Sequence, residues 1–348
     1  MSKAADDLLK QGIGQYQTGD VAAALQSWQQ ALTLYREADD RKRMGAALGN
    51  LGAAYEALED LPIALDYYQQ HLAIAQSISD WRGQSNALEN IANVYHSFGD
   101  LSRAIYYYQQ RLAIAREQSD IESSGRILAN LRLTYKQMGN EQEAMVCCRE
   151  QWAIARQKFS AVKTGDFMEI AEQVGLNPIE DFAGAELSGI NLYYANLGWA
   201  DLRDTNLSNA DLRLADLNNA KLSKANLSNA KLSNANLRDA DLSYANLTGA
   251  DLRSILPRVN LSYAQLQGVN LSSAYLQKAN LTHADMSGAD LTNADLIDAN
   301  LKEAKLVGTK LKGAFLKGAN VENVDFRETS GISEKMKIDL MQGGAIFE

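Results

Sequence analysis

The sequence predicts a multidomain α and β chain: an N-terminal α-solenoid of helix pairs, then a solenoid of short extended segments, then a C-terminal capping helix. Three observations carry this. The first half repeats itself in 40-residue units. The second half places a leucine at every fifth position, as in "ADLNNAKLSKANLSNAKLSNANLRDADLSYANL" (215–247). The tail, "TSGISEKMKIDLMQGGAIFE" (329–348), leaves that period.

"LGNLGAAYEALEDLPIALDYYQQHLAIA" (48–75) returns at 88–115 and again at 128–155, with a looser copy at 8–35. Ala24, Ala64, Ala104 and Ala144 correspond. Within a copy the apolar and small residues recur at helical spacing, as in Leu101, Ala104, Ile105 and Tyr108. Between the two apolar runs stand "TGD", "LED", "FGD" and "MGN". Gly99 and Gly139 can adopt positive φ and end a helix, and Asp60, Asp100 and Asn140 can cap the next one. Each unit is therefore a helix–turn–helix whose small residues let the two helices touch.

These elements resemble tetratricopeptide repeats of the 40-residue kind, found in spindle-orientation adaptors and many bacterial adaptors. The resemblance spans about residues 4–156 and implies a domain of four repeats over 1–156. The closing proline of the 34-residue form is missing, and a longer loop between repeats is expected in its place. The resemblance further implies a superhelix whose concave face, lined by each unit's first helix, binds an extended peptide or a partner helix. Asn50, Asn90 and Asn130 stand one repeat apart at the family's "NLGN" element. An Asn there can hold a ligand's backbone amide without reading its sequence. The family's second Asn survives as Asn93, and its groove Arg as Arg126. The alternative is that these Asn only bridge neighbouring helices.

Residues 157–180 break the period. Phe167, Ile170, Ala171 and Val174 mark one helical face, with Asp166 as N-cap, Gly175 as terminator and Pro178 as a stop. A capping helix and a short joint are expected there.

A period of five fits neither helix nor plain strand. Around Leu237 the unit reads Ala235, Asn236, Leu237, Arg238, Asp239. Ala and Leu two apart face one way on a short extended segment, and the polar pair suits a corner. Stacked polygons of such sides form a tube with Leu and Ala on its axis. The alanine is needed because the tube is narrow. Spacing alone does not fix the number of sides. "A(D/N)Lxx" resembles the pentapeptide-repeat family, which implies a right-handed four-sided β-helix over 181–328, about seven coils and roughly 35 Å long at ~4.8 Å per coil. The register slips once, since Leu252 and Leu261 lie nine positions apart across "LRSILPRVNL". Pro257, lacking a donor, is expected where the ladder is broken. Beyond the rod, 329–348 resembles the "LxxxGAIF" ending that follows many pentapeptide rods. Ser333 is placed to cap a helix that covers the sheet edge.

Positions one coil apart should stack on one face, which means a spacing of 20, or of 19 across the slip. This aligns Asp204, Lys224, Tyr244, Tyr263, His283 and Glu303, with Tyr244, Tyr263 and His283 as adjacent rings pointing outward. They are candidates for a partner contact, or a ladder that steadies the rod.

Chemistry is sparse. His71, His96 and His283 have no metal-ligand spacing, and His71 and His96 read as helix-surface residues. Cys148 takes a packing position filled by Tyr68 and Tyr108 in sister repeats, with Cys147 more exposed. No catalytic residue, metal site or cofactor is implied, and the chain is read as a non-enzymatic adaptor or scaffold for protein partners. No small-molecule substrate is expected. The net charge of −9 and pI near 5.0 argue against nucleic acid and anionic membranes. "MSKAADDLLK" lacks an apolar signal region and no apolar run approaches the ~18 residues of a membrane span, so a cytoplasmic location is expected. A monomer or a homodimer through an end cap fits. The other class of function is DNA mimicry against a topoisomerase. Residues 181–330 carry 17 acidic and 15 basic side chains, a net of −2. That mixed surface suits solubility better than mimicry.

Overall fold

A computed structural model describes residues 2–162, 167–177 and 179–348. It divides into two compact units, Met1–Ile154 and Ala155–Glu348. Among the described residues no helix is long and apolar enough to cross a membrane.

The first unit is built from α1 (Ser2–Gln17), α2 (Val21–Glu37), α3 (Arg41–Ala57), α4 (Leu61–Ser77), α5 (Trp81–Ser97), α6 (Leu101–Glu117), α7 (Ile121–Gln137) and the start of α8 (Glu141–Val162). Two 17-residue helices and two three-residue turns make up each full period. The longer loop expected between repeats is thus absent. Residues 38–40, 78–80 and 118–120 join repeats by turns as short as those inside them, and the helices carry the extra length. Gly19, Gly99 and Gly139 turn with φ of 85°, 77° and 72°. Asp39, Ser79 and Ser119 adopt the same left-handed region at 48°, 53° and 54° without glycine, which hid these turns in the sequence. Caps then start the next helix: Asp60, Asp100 and Asn140 accept from the amides of Ile63, Arg103 and Glu143 at 3.3, 3.1 and 3.2 Å.

Helices α1 to α7 pack on their sequence neighbours, and α1 also meets α3 and α3 meets α5, so α1, α3 and α5 line one side. Ala24, Ala64, Ala104 and Ala144 are all buried at helix contacts. Large faces small: a Cβ on Gly52 would fall 2.5 Å from the ring of Tyr68, and one on Gly12 would strike Trp28. Tyr55 stacks on Tyr67 and Tyr95 on Tyr107, each with centroids 5.5 Å apart. Cys147 occupies the place of Tyr67 and Tyr107 and is as buried as Cys148, not more exposed. Burial pushes its thiol up to about 11, away from the thiolate that reacts.

His71, expected on the helix surface, is buried instead. It lies buried against α3, where a Cβ on Gly45 or Gly49 would approach its ring to 3.1 or 3.2 Å. Two missing side chains make the slot, and helical spacing alone does not reveal it. Among the described residues its Nδ1 has no hydrogen-bond partner. Burial holds the imidazole below its ordinary value, with Asp80 pulling weakly the other way. The unfolded state, protonating near 6.5, therefore binds the proton first as pH falls, and stability declines from that point through the lower folded value. The urea midpoint of the helical unit should fall between pH 7.5 and 5.5. His71→Gln, which borrows the residue at 151, should flatten that fall; an equally steep profile would exclude His71 as its source.

In the second unit Phe167, Ile170, Ala171 and Val174 are buried, the first three along α9 (Phe167–Gln173), and Gly175 turns at φ 78°. The N-cap expected at Asp166 and the stop at Pro178 lie outside the described residues. From Glu186 on, single-residue parallel bridges join positions one coil apart, such as Glu186 to Asn206 and Asn191 to Asp211. The repeat leucines from Leu187 to Leu311 and the alanines two before them are buried. Phe182 and Phe326 fill the leucine position at the two ends, both fully buried. The tail closes the last edge: Ser333 caps α10 (Glu334–Gln342), Ile346 bridges Asp325, and Phe347 stacks on Phe326 at 5.3 Å.

Within a unit each amide has a fixed use. The leucine N–H reaches the next coil (Leu207 to Asn226 O, 2.7 Å), as does the second residue after it (Asn209 to Ser228 O, 2.9 Å). The residue between donates to the Asx side chain before the leucine, Ser208 to Asn206 Oδ1 at 3.1 Å. This explains the D/N of the repeat: it satisfies the one amide of the unit that has no main-chain acceptor, the alanine N–H being used in a turn bond such as Ala210 to Leu207 O at 3.1 Å. The second residue after leucine is left-handed along the rod, as at Asn209 (φ 58°).

The slip is real. Asn236 pairs with Ile255, one position short of a full coil, and Ile255 with Tyr275 resumes the regular spacing. One left-handed residue is missing between Arg253 and Ser254. Pro257, however, does not break the ladder. It stands at the position whose amide goes to the Asx side chain, and here the partner residue is Ile255, with no acceptor. Asp239 donates to Pro257 O at 3.2 Å, and Leu256 and Arg258 donate onward at 2.8 and 2.9 Å.

Candidate partner-binding surfaces

Asn50, Asn90 and Asn130 occupy equivalent places on α3, α5 and α7, half-buried on the odd-numbered helices. Among the described residues no hydrogen bond engages their carboxamides; only the main-chain oxygen of Asn130 is used by a side chain, that of Thr134. Asn93 differs. Its Oδ1 accepts from Tyr108 Oη at 2.7 Å, tying α5 to α6.

Arg126 is exposed, 4.0 Å from Glu122 one turn earlier. It lines a polar cavity of about 420 Å³ with Arg82, Asn86, Glu89 and Arg111. Asn90 and Asn130 are not among its lining residues. Arg111 is buried and gripped by Glu89 at 2.9 and 2.8 Å, with Ser85 Oγ at 3.3 Å. Burial lowers its guanidinium below the usual range against the pull of Glu89. The sequence reading missed this cluster. The signal was the row Ala31, His71, Arg111, Gln151, each one repeat after the last, of which His71, Arg111 and Gln151 meet Gly45, Ser85 and Gly125.

On the second unit Tyr244 and Tyr263 stack at 4.9 Å and 3°, and Tyr263 and His283 at 4.6 Å and 18°. Tyr244 is paired with Tyr263, not Ala264, because the slip shortens the spacing. Both tyrosines face solvent, and His283 Nδ1 lies 3.3 Å from Glu303. The rows of this unit are otherwise studded with self-neutralising pairs. Arg203 clasps Asp201 at 2.8 and 2.6 Å, and Arg213, Arg253 and Arg327 repeat the motif on Asp211, Asp251 and Asp325. These guanidinium bonds hold each carboxyl below its ordinary value. Arg258 reaches across coils to Asp239 at 2.6 and 2.5 Å.

The tetratricopeptide repeat profile matches residues 8–77 and 43–117, and the profile for pentapeptide repeats (8 copies) matches 181–219, 220–255, 254–293 and 294–330. Among curated proteins nothing matches the chain. Among solved structures it is similar to HetL, a pentapeptide repeat protein involved in heterocyst differentiation regulation from the cyanobacterium Nostoc sp. Identity is 30% over 44% of this chain and 89% of that one, with a TM-score of 0.21. BtubC from P. vanneervenii is 20% identical over 46% of this chain and 65% of its own length, with a TM-score of 0.41. QnrB1, a plasmid-mediated fluoroquinolone resistance protein, is 20% identical over 49% and 94%, with a TM-score of 0.32.

Proposed function

We propose, from a chain that belongs to the pentapeptide repeat family over residues 181–330 and carries tetratricopeptide repeats over 8–117, that this protein is a non-enzymatic adaptor. Its helical domain, 1–156, captures a segment of a protein partner. A joint over 157–180 leads to the rod, 181–328, and 329–348 caps it. The rod is a right-handed four-sided β-helix, a reading supported by the four bridge rows in each coil, and it offers a second surface that includes Tyr244, Tyr263 and His283.

One observation carries the groove reading. Asn50, Asn90 and Asn130 are three half-buried carboxamides in a row with no partner among the described residues, and each has donors and an acceptor to offer a peptide backbone. Arg126 flanks the row, and Asn93 supports it by fixing α5 on α6. The paired Arg and Asp side chains of the rod favour this reading over DNA mimicry, which needs an unneutralised acidic surface of duplex size.

The test replaces Asn50, Asn90 and Asn130 together by Ala in the full chain. The helical circular dichroism signal and melting should be unchanged while capture of the partner segment drops at least tenfold. Capture at full strength would place the partner elsewhere.

A further inference from the structure

The register slip opens a break in an otherwise periodic corner row. Neighbouring coils place Leu214, Asn234, Ser273 and Asn293 there in the left-handed region; the coil between Asn234 and Ser273 has no such residue. Two kinds of hydrogen bond go missing with it. In the coil below, Asn234 N–H reaches Arg253 O at 2.9 Å, and in the coil above, Ser273 N–H reaches Thr292 O at 2.8 Å. By the same rule the absent residue would donate to Ser272 O, and among the described residues that carbonyl accepts no backbone hydrogen bond. The turn bond that closes adjoining corners, Ala235 N–H to Leu232 O and Ala274 N–H to Leu271 O at 3.0 Å, has no counterpart between Ser254 and Leu252. Ser254 instead turns its hydroxyl to Leu232 O.

A cavity of about 410 Å³ occupies this place, within the range of small-ligand sites. Asn234, Arg253, Ser272 and Ser273 supply polar walls, and Ile255 and Tyr275 apolar ones. Ile255 is 42% exposed and Tyr275 58%. Asp251 already clasps Arg253, so no uncompensated cation awaits an anion.

We propose that this notch is a binding site for a carboxamide or peptide unit of a partner polypeptide, which takes the place of the missing corner residue. The ligand's N–H donates to Ser272 O, its apolar neighbour packs on Tyr275 and Ile255, and the corner row is made continuous. The chemistry follows from what the gap lacks. A carboxylate offers no donor to the carbonyl, and a purely apolar group would bury that carbonyl unpaired, at a loss. The site is built wholly from residues of the second unit and does not rest on the groove reading.

The probe is N-acetyl-asparagine methylamide, titrated into the full chain labelled for carbonyl detection, with sodium acetate as the control. The Ser272 carbonyl resonance should move downfield and saturate with the amide and stay still with acetate. Inserting one Asn between Arg253 and Ser254 restores the regular period and fills the notch. The Ser272 carbonyl should then start downfield and no longer respond. Tyr275→Ser, an exposed change that leaves the coil intact, should weaken the probe at least threefold. A response to acetate as large as to the amide, no saturable shift, an equal shift after the insertion, or unchanged affinity in Tyr275→Ser would each overturn the assignment.

Discussion

Glu89→Ala is expected to destabilise the helical unit by about 3–5 kcal/mol, more than Arg111→Met at the other end of the same ion pair. The asymmetry follows from exposure. The Arg111 side chain is 8% exposed and that of Glu89 35%. Removing the carboxylate strands a buried guanidinium with only the Ser85 hydroxyl for company, whereas removing the guanidinium leaves a carboxylate that water already reaches. Replacing both at once, Glu89→Leu with Arg111→Met, should recover most of the loss, because a buried pair contributes little beyond what apolar packing supplies. Urea unfolding of the three variants checks this. Equal costs for the two single changes, or a double variant no better than Glu89→Ala, would mean that Arg111 is solvated in the folded state.

The core of both halves was legible in the sequence because packing leaves a period. The alanines at 24, 64, 104 and 144 and the leucines at every fifth position are all buried, and each could be placed by spacing alone. The turns between repeats were not legible. Asp39, Ser79 and Ser119 take the conformation expected of glycine, and nothing in a side chain announces a left-handed backbone when its neighbours dictate it. His71 was misjudged for a related reason: its burial depends on the absence of side chains at Gly45 and Gly49 on another helix. Pro257 was misplaced because the sequence shows that a donor is missing and not which bond that donor would have made. Of the surfaces, the ring row Tyr244, Tyr263, His283 followed from counting across the slip. The cavity beside Arg126 did not, since Glu89 and Arg111 meet from different helices and only one repeat carries the pair.

Leu237→Ala tests the central claim most directly, that this chain is two arrays in which each unit leans only on the next. Leu237 is fully buried, its N–H bound to Ile255 O at 2.8 Å in the next coil. Leu237 is surrounded by equally buried leucines and alanines, so the substitution leaves a void and should cost roughly 2–5 kcal/mol. In a solenoid that cost stays near its origin. The measurement is amide hydrogen exchange across the full chain. Faster exchange is expected within 217–257, in the coil of Leu237 and those on either side, with unchanged exchange in α1–α7. Uniform acceleration through both units, or acceleration confined to residues next to 237 in sequence with none at 217 or 256, would contradict it.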